Sequence, residues 1–77
     1  MSRLAPITAR ELQTILSRLG FTLLRQRGSH AFWQHPDGRA TIVPMHKGQD
    51  IGRGLLRQIL RDLDLTPAEF AKLRRKK

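Results

Sequence analysis

The sequence predicts an α+β fold: a helix, three strands forming an antiparallel sheet, a second helix, and a short extra helix at the C-terminal end. Apolar residues recur at three- and four-residue spacing in two stretches on either side of the middle of the chain. Between those stretches lie three short runs rich in aromatic and branched residues, separated by "RGS" and "PDG". Such turns are too short for a crossover, so sequential strands pair antiparallel and leave one face of the sheet to carry the helices.

The first helix has a well-marked start. Thr8 and Glu11 have the spacing of a capping box, in which each side chain satisfies a free backbone N–H, and Ile7 and Leu12 occupy the staple positions. Leu12, Ile15, Leu16 and Leu19 form one apolar stripe and Gly20 supplies a left-handed stop. The spacing predicts a helix over 8–19.

After Gly20 the period changes. "FTLLRQ", "HAFWQH" and "RATIV" read as strands over 21–26, 30–35 and 39–43, and Pro44 ends the third. Alternation along the second strand sets His30, Phe32 and Gln34 on one face and Ala31, Trp33 and His35 on the other. One of the two aromatic rings therefore belongs to the core and the other is partly exposed.

A polar loop, "MHKGQD", leads to the second helix, where Leu55, Leu56, Ile59, Leu60 and Leu63 line one side and Arg53, Arg57 and Arg61 form a basic rail on another. Thr66, Pro67 and Glu69 then repeat the capping logic, with Leu65 and Phe70 as the staple. A short third helix follows. Residues 72–77 read as a basic, flexible tail.

Composition bounds the function. A chain of 77 residues is one domain with a small core, so an active site should be a surface feature rather than a deep cofactor cavity. Fifteen Lys and Arg against six acids give a net charge of +9, which favours a polyanionic partner, nucleic acid first and an acidic protein second. With no cysteine, disulfides and thiolate metal sites are excluded. The longest unbroken apolar run is far short of the ~20 residues that span a bilayer. The expectation is a soluble, cytoplasmic protein without cofactor.

The stretch "RGSHAFWQHPDGR" asks for chemistry or for turns. A histidine at the start of a strand after a glycine turn needs no function, yet His30 is also where a metal-free nuclease could keep its base. His35 in "HPDG" sits in an ordinary turn signature. His46 lies in the loop before the basic rail, where it is either solvated or against phosphate. No spacing among the three histidines matches a zinc site. The element order is that of the double-stranded-RNA-binding domain, which reads RNA by shape and phosphate contacts.

From "ITAREL" to "AEF" the chain resembles the HicA toxin family of toxin–antitoxin pairs. The resemblance rests on the "RQRGSH" hairpin, the "HPDGR" turn, "VPMHKG", and the ending "GLLRQILRDLDLTPAEF". It implies a double-stranded-RNA-binding-like fold, an endoribonuclease that cleaves mRNA without the ribosome, and a HicB-type antitoxin as partner. The catalytic histidine of the family falls on His30, with Gly28 and Ser29 as its motif neighbours. Two positions depart from the family pattern: Asp64 where relatives place glycine, and Gln34 where they often carry a base. Asp tolerates the left-handed region, so the first is compatible with the fold.

In the simplest metal-free chemistry the RNA 2′-OH attacks the adjacent phosphorus, with His30 as general base. Arg25, Arg27 and Lys47 are candidates to hold the phosphate, and Arg53 and Arg57 to bind RNA through the rail. The general acid is not identifiable at this level. A non-catalytic RNA-binding module and a pure protein-interaction domain are the two competing readings.

Overall fold

The computed structural model describes residues 4–46 and 48–75. Its elements are β1 (Ile7–Thr8), α1 (Ala9–Arg18), β2 (Thr22–Arg27), β3 (His30–Gln34), β4 (Ala40–Pro44), β5 (Asp50–Ile51), α2 (Arg53–Leu63) and α3 (Pro67–Arg75). Strands β2, β3 and β4 form an antiparallel meander in that order. The expected α-β-β-β-α order with a C-terminal helix is thus the one the chain adopts.

Helix termini follow the sequence signals closely. Thr8 Oγ1 accepts from the Glu11 N–H at 3.0 Å, while the Glu11 carboxylate turns to Arg74 Nε at 3.5 Å. Gly20, at φ +97°, places its own N–H on the Ser17 carbonyl and that of Phe21 on the Leu16 carbonyl, the paired bonds of a Schellman stop. Asp64 performs the same task after α2 at φ 59° and ψ 44°, with Leu65 N–H bonded to the Leu60 carbonyl. An aspartate therefore takes the left-handed cap position that glycine most often fills. At α3 both halves of the box form: Thr66 Oγ1 accepts from Glu69 N–H and Glu69 Oε1 from Thr66 N–H.

Alternation puts Ala31, Trp33, Thr41 and Val43 on the inner face, all buried. Leu12 and Leu16 of α1 and Leu56, Ile59, Leu60 and Leu63 of α2 join them in one cluster, and Phe70 of α3 is buried in it as well. Burying one such leucine is worth ~1.5–3 kcal/mol, which is why the helices stay on this face. Trp33 is the core ring, 6% exposed, and Phe32 is the partly exposed one.

Two features go beyond the sequence reading. Ile7–Thr8 and Asp50–Ile51 pair as a two-stranded sheet, with Ile7 opposite Ile51 and both buried. Helix α3 continues through Lys72 to Arg75, and Arg74 donates to the carbonyls of Ala5 and Pro6, so residues 72–75 of the expected tail are helical. Lys76 and Lys77, like Lys47, lie outside the described residues.

Candidate functional site

The β2–β3 hairpin turns on Gly28 and Ser29. Gly28 has φ +56° and Ser29 does not share the positive sign, the pattern of a turn with glycine in its first central position. Gln26 Nε2 braces the turn by donating to the Gly28 carbonyl at 3.2 Å, and Ser29 gives its own carbonyl to the Met45 N–H. The turn is thereby tied to both neighbouring strands. His30, the first residue of β3, stands opposite Arg27 on one side and Pro44 on the other.

Register decides what shares its face. Between Leu23 and Arg25 the β2 ladder shifts, so that Arg25 pairs with Phe32 and Arg27 with His30. Directly paired side chains lie on the same face, which puts Arg25, Arg27, His30 and Phe32 together on the outside of the sheet. The Arg25 guanidinium stacks over the Phe32 ring at 4.9 Å from its centroid. A cation is thus held flat against the face that presents His30, and it covers part of the partly exposed Phe32 ring.

A groove of about 840 Å³ lies beside His30, over the outer face of β3 and β4, and continues past the edge of β4 to α2. Its lining includes His30, Phe32, Ile42, His46, Leu55 and Asp62. His46 is the residue that sequence reasoning left undecided. The bond from Met45 N–H to the Ser29 carbonyl continues the β3–β4 register one step past Pro44, and His46 follows directly. His46 thus lies two residues beyond Pro44, the partner of His30, and both histidines line the groove. The signal in the sequence was the distance of His46 from Pro44, readable only once the register was known.

Other expected residues fall elsewhere. Arg53, Arg57 and Arg61 are exposed on α2, but the helix turns Leu55, Gln58, Ile59 and Asp62 toward the groove. At ~100° per residue the rail points roughly 150° away from that wall. His35 is a structural residue: its ring meets Phe21 edge-on at 5.0 Å, and its Nδ1 lies 3.1 Å from the Asp37 N–H and 3.0 Å from Asp37 Oδ1. One nitrogen cannot accept and donate at once. The neutral ring accepts from the N–H, and the protonated ring donates to the carboxylate. A Cβ on Gly20 would come within 3.2 Å of His35 Nε2, so the two positions constrain each other.

Two acids have lowered pKa values. The Arg39 backbone N–H, and then its guanidinium, hold the Asp37 carboxyl below the usual carboxylate range. The Thr66 backbone N–H does the same for Glu69. Both belong to turns and caps and neither faces His30. Among the described residues, no group of three or more His, Asp or Glu side chains is placed to hold a metal ion, and no helix is long and apolar enough to cross a membrane.

A basic hairpin carrying one histidine, on a sheet backed by two helices, matches in chain order a family model described as the HicA toxin of bacterial toxin–antitoxin, over residues 9–65. The chain belongs to the HicA toxin family. No curated protein matches it in a direct comparison. Residues 9–65 of the match include the hairpin, the groove and all of α2, so the HicA region is the part of the fold that forms the candidate site. Membership makes the chain the toxin of a toxin–antitoxin pair, and that implies an antitoxin as its partner.

Proposed function

We propose that this HicA chain is an endoribonuclease that cleaves mRNA by attack of the 2′-oxygen on the adjacent phosphorus, with His30 as general base and His46 as general acid. The observation that carries the reading is that both imidazoles line one groove beside the Arg25–Arg27 face. Imidazole changes charge near neutral pH, so one ring can be neutral while the other is protonated. His30 takes the proton of the 2′-OH as its oxygen bonds to phosphorus. His46 gives a proton to the 5′-oxygen as the P–O5′ bond breaks. The products are a 2′,3′-cyclic phosphate and a 5′-hydroxyl, and the step consumes no external reactant.

Arg27 lies directly across from His30 and Arg25 over the Phe32 ring, and in this reading both hold non-bridging phosphate oxygens. Gly28 and Ser29 position the hairpin rather than react. Lys47, outside the described residues, adjoins His46 in sequence and is a further candidate cation for the phosphate. Arg53 and Arg57 lie on a separate flank, where they attract the RNA backbone away from the scissile bond. A HicB-type antitoxin would silence the toxin by covering this face.

The test is cleavage of a single-stranded RNA in EDTA by the natural chain, His30→Ala and His46→Ala, each checked for intact folding. A second substrate carries sulfur in place of the 5′-bridging oxygen, a leaving group that departs without a proton. The sulfur substrate should restore most of the rate lost by His46→Ala and none of that lost by His30→Ala. A 3′-hydroxyl-bearing product or equal rescue of both variants would overturn the assignment. RNA binding without cleavage by the natural chain would make it a binding module.

A further inference from the structure

We infer that the free edge of β4 is a strand-addition site, and that an extended, acidic segment of the antitoxin seats there as a fourth strand in the groove against α2. The inference rests on the antitoxin reading above and adds where and how the partner docks.

Hydrogen-bond parity shows which backbone groups are free. The bonds from Met45 N–H to the Ser29 carbonyl and from His35 N–H to the Arg39 carbonyl bracket the β3–β4 ladder. Bonded pairs alternate with non-bonded ones in an antiparallel pair, so 31 with 43 and 33 with 41 exchange bonds, while 32 with 42 and 34 with 40 do not. Ala40 and Ile42 therefore turn both N–H and C=O away from β3, and Pro44 adds a carbonyl. The sheet has no strand beyond β4 among the described residues.

The groove follows that edge. Ala40, Thr41 and Ile42 are consecutive and point to alternate faces, yet all three line it, so the groove wraps the strand's side, and from there it extends over the outer face to Phe32 and Gln34 of β3 and Leu24 of β2. The opposite wall is one stripe of α2: Leu55, Gln58, Ile59 and Asp62, at the spacing of a single helix face. A strand edge facing a helix at this spacing is the geometry that receives an extended peptide, with main-chain bonds to the strand and alternate side chains toward the helix. Ile42 and Leu55 remain 45% and 41% exposed, an apolar lining for those side chains. The buried Trp33 lines the same groove, so its fluorescence is placed to report an occupant.

Charge selects the occupant. His30 and His46 line the groove, Arg25 and Arg27 share the outer face with His30, and Asp62, the one acid in the lining, is engaged by the Thr41 hydroxyl at 3.0 Å. A second copy of a chain with net charge +9 would bring like charges together. RNA gains little from an apolar wall and a peptide edge. The other edge of the sheet, β2, is interrupted by its register shift and carries Arg25 and Arg27, devices that discourage strand addition. β4 has neither until Pro44 ends it.

The test is amide hydrogen exchange on the full chain, free and bound to its HicB-type antitoxin, with the single tryptophan's fluorescence reporting binding. Exchange at Ala40 and Ile42 should slow by about tenfold or more in the complex. Ile42→Pro, which removes an outward N–H that the ladder does not use, should weaken the complex by about tenfold, whereas Ile42→Val should leave it within about threefold. A complex that forms with unchanged exchange at Ala40 and Ile42 would overturn strand addition while leaving the antitoxin reading intact. Failure of the antitoxin to bind at all would end both. Slowed exchange with RNA and not with antitoxin would assign the edge to the substrate instead.

Discussion

Arg39 Nη1 donates to the backbone carbonyl of Leu63 at 2.6 Å, fastening the β3–β4 turn to the last turn of α2. The same guanidinium pairs with Asp37 Oδ2 at 2.8 Å and lies 5.3 Å from the centroid of the Phe21 ring. One side chain thus joins the turn, the residue after α1 and the end of α2. Because the carbonyl belongs to a helix terminus, a cation there also meets the negative end of the helix dipole.

Arg39→Ala should destabilise the fold by about 1–3 kcal/mol, the usual range for losing a charge-assisted hydrogen bond. Arg39→Lys should recover less than half of that, since an ammonium cannot serve carbonyl, carboxylate and ring together. Urea unfolding of the three chains measures both effects. Unchanged midpoints would mean that the turn and α2 are held by apolar packing alone.

The pH dependence of stability has a definite sign. Asp37 has a folded pKa below its unfolded value, held there first by the Arg39 backbone N–H, so its contribution is present above the ordinary aspartate value of about 3.9. It is lost as the pH falls through the lowered folded value. Glu69 behaves in the same sense through Thr66. Asp37→Asn should therefore lower the unfolding midpoint at pH 7 and make the decline below about pH 4 shallower than in the natural chain. Parallel unfolding curves at pH 7 and pH 3 check this.

Cleavage should follow a bell-shaped pH profile, since the proposed step needs one imidazole neutral and the other charged. The acidic limb should flatten in His30→Ala and the alkaline limb in His46→Ala, each with a residual rate lower by roughly 10²- to 10⁴-fold. The readout is kcat/KM across pH 5 to 9. A profile that His46→Ala leaves unchanged in shape would remove His46 from proton transfer.

Much of this could be read from the residues, because the signals are local. The stops at Gly20 and Asp64, the cap at Thr66 and the alternation through His30, Phe32 and Gln34 each depend on side chains a few positions apart. The pairing of Ile7 with Ile51 was not legible, since a two-residue strand is too short to show a period and its partner lies more than forty positions away. The same holds for His46, whose place depends on the register of β4, and for the shift near Leu23 that aligns Arg25 and Arg27 with Phe32 and His30. The "HPDGR" marker has a structural explanation: Asp37 and Arg39 build a strut, and His35 packs on Phe21.

The two sets of arginines should separate by what they change. Arg27 stands directly across from His30, and in the proposed reaction the phosphate it holds is the one that reacts, with negative charge that grows in the transition state. Arg27→Ala should lower kcat more than it weakens RNA binding. Arg57 lies on the flank of α2 that faces away from the groove, so in the proposed reaction it serves only the RNA backbone phosphates. Arg57→Ala should weaken binding with kcat nearly unchanged, and reduce the slope of log affinity against log salt by about 0.7, the share of one phosphate contact on a single strand. Binding titrations at several salt concentrations, combined with single-turnover cleavage, measure the two quantities separately. If Arg57→Ala slows the bond-breaking step as much as Arg27→Ala does, RNA crosses both faces of α2 and the scissile phosphate does not sit at the hairpin.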